Sequence, residues 1–169
     1  NIGIGFDAIS SLTSGNNNVC IGYKAGEDIT TSYNNVAIGS EALLNLAAGA
    51  YNNIAIGRQS MHGANTSSVF HNVVMGVSAM GNVSLVPGNR NVSIGNEANY
   101  SNASGAYNVA IGYRAMYDGA AASGNVALGY QALFQNETTH YSVAVGMQAL
   151  ENTTAVGNIG VGYKAGDLI

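Results

Sequence analysis

The chain is predicted to be all-β: a parallel β-solenoid of about ten coils, each 16–19 residues long. Three observations predict it. A five-residue phrase recurs ten times: Asn, an aliphatic residue, a small residue, a second aliphatic residue, then Gly. It reads Asn-Val-Ala-Ile-Gly at 35–39 and again at 108–112. The closing glycines fall at 5, 22, 39, 57, 76, 95, 112, 129, 146 and 162, so their spacing stays between 16 and 19. A period of this size marks repeats that bury an apolar face only by stacking on one another. Alternation around the small residue, as in Val109-Ala110-Ile111, is the signal of a short strand.

Each element of the repeat carries its own expectation. The flanking aliphatics run from Ile2/Ile4 and Val19/Ile21 through Val126/Leu128 to Ile159/Val161. As the bulkier residues they are expected to point into the coil, with Ile38, Ile56, Ile111 and Leu128 fully buried. The small residue between them would then face outward. The next residue, Gly, is a corner where the chain needs an unusual φ or the absence of a Cβ. Three residues further, Ala recurs in nine repeats, with Ser60 the exception, and suggests a closely approached wall. Leu43, Met61, Met80, Met116, Leu133 and Leu150 follow as a third apolar plug. The period leaves room for only about two helical turns, so a short strand or bend is expected there rather than helix. The opening Asn, replaced once by Ser142, is read as a turn residue that tolerates left-handed backbone and can stack into a ladder along the solenoid.

Composition excludes several classes of function. Only 8% of the 169 residues are charged and the net charge is −4. The five bases, Lys24, Arg58, Arg90, Arg114 and Lys164, are scattered, which argues against nucleic acid. A lone cysteine, Cys20, gives no disulfide or zinc framework and reads as a packed thiol. No apolar run approaches the ~20 residues needed to insert in a membrane. His62, His71 and His140 lack metal-ligand spacing, and Glu27-Asp28 are the only adjacent acids. No catalytic residue, metal or cofactor is therefore assigned. Residues 1–169 are read as one repeat array, a segment of a longer fibre.

Two features invite binding roles. The repeats containing 62–71 and 81–90 are the longest and hold the only proline, so Arg58, His62, Phe70, Pro87 and Arg90 are candidate binding-loop residues. Tyr23, Tyr113, Tyr130 and Tyr163 follow the corner glycine and are candidates for stacking on sugar rings, although aromatic cover of coil edges accounts for them as well.

The tandem Asn-x-Ala-Ile-Gly-x-x-Ala-Leu pattern resembles the repetitive shafts of bacteriophage tail fibres across essentially the whole chain. It is also similar to the head repeats of trimeric autotransporter adhesins, whose motif is shorter. The resemblance implies a homotrimer of left-handed parallel β-rolls in a virion tail fibre, serving as a spacer or contributing to contact with a host surface glycan or receptor. The alternatives are an adhesin head on a bacterial surface and a trimeric tailspike polysaccharide hydrolase. Independently, the outward reading of the small row makes Ala37, Ala55, Ala110, Ala127 and Ala144 the expected trimer interface.

Overall fold

A computed structural model describes residues 1–45, 49–63, 69–82, 88–101, 104–119, 121–135 and 139–167. Ten strands of three residues each form one parallel sheet in sequence order. They are β1 (Ile2–Ile4), β2 (Val19–Ile21), β3 (Val36–Ile38), β4 (Ile54–Ile56), β5 (Val73–Met75), β6 (Val92–Ile94), β7 (Val109–Ile111), β8 (Val126–Leu128), β9 (Val143–Val145) and β10 (Ile159–Val161). The register is that of the repeat: Val109 pairs with Val126, Ala110 with Ala127 and Ile111 with Leu128. The architecture is a β-solenoid with one strand per repeat, and no helix occurs among the described residues. Among the described residues no helix is long and apolar enough to cross a membrane.

The strand faces are the reverse of the sequence expectation. Cys20, Ala37, Ala55, Val74, Ala110, Ala127 and Ala144 are fully buried within a single chain. Ile38 and Ile111 are 36% and 38% exposed, and Ile56 and Leu128 are only partly buried. The small row therefore points inward. The physical reason is the narrowness of the coil. A Cβ built on Gly3 would lie 2.7 Å from Ile9 Cγ1, and one on Gly160 would lie 2.8 Å from Leu150 Cγ. The plug residues thus reach across the coil to the strand, and only a small side chain fits between. This corrects the interface assignment: Ala37, Ala55, Ala110, Ala127 and Ala144 already pack inside their own coil and have no surface to offer a neighbour.

The other interior rows stand where the sequence placed them. Leu43, Met61, Met80, Met116, Leu133 and Leu150 are fully buried, as are Ala42, Ala79, Ala115, Ala132 and Ala149 of the wall. In the coil of β2 the plug position is Gly26, and the buried Ile29 fills the space instead. One further interior row, three residues before the opening Asn, was not anticipated: Ser32, Ala50, Val69, Ala122 and Thr139 are all buried there.

The segment after each strand is a hydrogen-bonded turn. The corner glycines have φ between +124° and +140°. At Gly112 (φ 137°) a Cβ would also stand 2.4 Å from the carbonyl oxygen of Gly129 in the next coil. Two left-handed residues follow at alternate positions, such as Arg114 (φ 52°) and Met116 (φ 53°). Left-handed backbone costs a non-glycine residue about 1–2 kcal/mol. Bonds to both neighbouring coils offset it: Arg114 N donates to Asn96 O at 3.0 Å and Met116 N to Ala132 O at 2.9 Å.

Candidate functional site

Asn forms the most regular polar feature. Asn18, Asn35, Asn53, Asn72, Asn91, Asn108 and Asn125 are fully buried. Each backbone N–H donates to the side-chain oxygen one coil earlier, as Asn108 N does to Asn91 Oδ1 and Asn125 N to Asn108 Oδ1, at 2.9 and 3.0 Å. Asn108 Nδ2 in turn donates to Ala122 O at 2.8 Å. Ser142 continues the row, its backbone N donating to Asn125 Oδ1 at 2.8 Å. The row is a structural ladder that satisfies buried backbone groups, and it leaves no amide free to hold a ligand. The left-handed turn residue is its predecessor, as at Asn17, Asn34 and Asn52, with φ between 56° and 57°.

The aromatics form columns. Tyr113 and Tyr130 stack at 5.4 Å and 16°, and Phe6 stacks on Tyr23 at 5.7 Å and 11°. Each of these stacks covers one face of each ring and leaves less of it for a sugar. That geometry weakens Tyr23, Tyr113 and Tyr130 as sugar-stacking residues, while Tyr163 has Lys164 Nζ 5.9 Å from its ring centre. Tyr33, Tyr51 and Phe70 build a second column just before the strand, at 5.1 and 4.9 Å. Tyr100, Tyr117 and Phe134 build a third, at 5.0 and 5.3 Å.

Two of the candidate binding-loop residues come together. Arg90 lies with its guanidinium carbon 4.9 Å from the Phe70 ring centre and 5.4 Å from that of Tyr107. Its Nη1 donates to Tyr107 Oη at 3.3 Å. Arg58 lies apart, on the far side of the strand beside Gln59, and His62 is partly buried beyond the Met61 plug. Pro87 lies outside the described residues.

The remaining chemistry is sparse. Among the described residues no three His, Cys, Asp or Glu gather in a metal-binding group. Arg114 pairs with Glu97 at 2.5 Å and Lys24 with Glu27 at 3.0 Å, and each carboxylate raises the pKa of its cation by hydrogen bonding. Burial pushes the Cys20 thiol up to about 12, which makes it a poor nucleophile at neutral pH.

The outer face of the sheet is an apolar surface that the coil itself does not cover. The positions on either side of the buried small residue hold only Ile, Val, Met or Leu in all ten strands. Phe6, Tyr23, Val77, Tyr113, Tyr130, Met147 and Tyr163 follow the corner glycine, and all are exposed. Comparison with protein-family models, with curated proteins and with solved structures finds no match to this chain, so the functional reading rests on its own residues.

Proposed function

We propose that the chain is a self-associating segment of a fibre, a structural rod that spaces or contributes to contact with a host cell surface. A bacteriophage tail-fibre shaft assembled as a homotrimer of left-handed rolls is the form the sequence resemblance favours. The observation that carries the reading is the outer strand face. Isolated soluble chains rarely leave a contiguous apolar patch of more than a few hundred Å² uncovered. Here two aliphatic rows run uncharged from β1 to β10. A covering partner has to match the coil spacing along the full array, and a second copy of the chain does so by construction. The interface is thus the exposed aliphatic face around Ile38, Ile54, Met75 and Ile111, in place of the alanine row.

Sedimentation equilibrium tests this. The wild-type chain is expected at three times its 17.2 kDa mass. The Ile38→Glu/Ile111→Glu variant is expected to keep the wild-type circular dichroism and to sediment as a monomer. A wild-type monomer at micromolar concentration, or a double variant that still assembles, overturns the assignment.

A further inference from the structure

We propose that Arg90, Tyr107 and Tyr141 form a subsite for a carboxylate-bearing sugar. The proposal deepens the surface-contact part of the reading above and rests on it only for where such a sugar is met. The three residues occupy the row immediately before the opening Asn, one per coil except where Gly124 intervenes. In earlier coils this row is polar: Asn17 Nδ2 donates to Asn34 Oδ1 and Asn34 Nδ2 to Asn52 Oδ1, both at 3.1 Å and both exposed. The row is exposed from Asn17 to Tyr141 except at Gly124, and it stands two residues before each strand.

The cation is preorganised and unspent. Arg90 is held between the Phe70 and Tyr107 rings, and its Nη1 donates to Tyr107 Oη. No carboxylate reaches it among the described residues, in contrast to Arg114 and Lys24. A planar guanidinium with free N–H groups suits a two-pronged carboxylate.

The rings beside it are widely exposed. Tyr107 is 60% and Tyr141 74% exposed, whereas the stacked Tyr113 and Tyr130 are 40% and 45% exposed. Tyr107 meets no other aromatic ring among the described residues, and Tyr141 meets only His140, tilted at 43°. Gly124 creates the space. A Cβ there would lie 2.8 Å from Tyr141 Cδ1, so the absence of a side chain lets the Tyr141 ring pack over Gly124, in the coil between those of Tyr107 and Tyr141. Two exposed rings with no aromatic stack on them, beside a cation that no carboxylate pairs, suit the apolar C–H face of a pyranose carrying one carboxylate. A long polyanion fits less well, since the chain carries a net charge of −4 and its bases are scattered.

The test is an NMR titration of the wild-type chain, observing tyrosine ring protons, with trigalacturonate as probe. Galactotriose and a tri-glutamate peptide are the controls. Trigalacturonate alone is expected to shift the Tyr107 and Tyr141 signals. Arg90→Gln is expected to weaken its binding by about tenfold, the scale of one charge-assisted contact of about 1.4 kcal/mol. Tyr141→Leu, which still covers Gly124, is expected to weaken it severalfold. Absence of binding by trigalacturonate, equal binding of the peptide, or binding unchanged in both variants overturns the proposal. Sedimentation of the same samples reports assembly separately, so failure of the subsite and failure of the fibre reading are distinguishable.

Discussion

The coil interior and the outer face of the same sheet are built from residues one position apart, and their sizes are inverted. Ala110 is fully buried, while its neighbour Ile111 is 38% exposed. In a two-layer domain the larger side chain of such a pair belongs to the core, because burial stabilises it by about 25 cal/mol per Å². In this solenoid the interior width is set by the far wall. Ala115 and Met116 occupy the space that a strand Ile would need, and both are fully buried. Area alone therefore does not decide which row turns inward. Packing volume does, and the excess aliphatic surface is left outside for a partner.

The sharpest way to break this comparison is to place one charge in each region. Ala110→Glu buries an unpaired carboxylate and is expected to cost more than about 4 kcal/mol, visible as loss of the folded signal in thermal unfolding by circular dichroism. Ile111→Glu should leave the isolated coil folded and act on assembly instead. Equal tolerance at both positions would remove the distinction.

A smaller effect is expected at the corner. Gly112→Ala meets the Gly129 carbonyl and holds a φ of 137°, which should destabilise the chain by about 2–3 kcal/mol in urea unfolding. Asn99 tests the interior from the opposite direction. It replaces the Leu or Met plug in the coil of β6, where Ser93 replaces the inward Ala. Its Oδ1 is buried without a hydrogen-bond partner, and the apolar core is divided there into two clusters. Asn99 Nδ2 also donates to the buried Ser93 hydroxyl at 3.3 Å, so Asn99→Met has to be combined with Ser93→Ala. The pair should join the clusters and raise stability by about 1 kcal/mol, measured as a shift in urea midpoint at constant slope.

A last effect is confined to alkaline pH. Cys20 is expected near its ordinary value of 9 when unfolded and about 12 when folded. The neutral thiol is thus favoured in the fold. Its contribution to stability is complete below pH 9 and is lost as pH rises towards 12. Cys20→Ala should remove that part of the alkaline decline in a pH series of unfolding midpoints.

The repeat, the ten strand positions, the glycine corner, the alanine wall and the Leu/Met plug were legible in the sequence because each is a fixed residue type at fixed spacing. Asn stacking was legible for the same reason. The sense of the strand was not. Alternation such as Val109-Ala110-Ile111 has a period but no sign, and the usual preference for burying the larger residue points the wrong way in a narrow coil. Arg114 and Met116 gave no hint of left-handed backbone, since neither residue type favours it and the inter-coil bonds that hold them appear only in three dimensions. The pairing of Arg90 with Phe70 was half legible, through the unusual repeat lengths. Tyr107 stands just before a repeat start, but its partnership with Arg90 depends on residues 17 apart meeting across one coil.

The direction of the strand rows is tested most directly by thiol labelling, because the chain's single cysteine lies in the inner row. Ellman's reagent would be applied to the folded wild-type chain and to an Ile21→Cys chain carrying Cys20→Ala, each over a dilution series. The account predicts that Cys20 stays unlabelled at every concentration until urea unfolds the chain, and that the thiol at position 21 labels faster as dilution separates the copies. A folded wild-type chain whose Cys20 reacts as readily as the thiol at position 21 would contradict it.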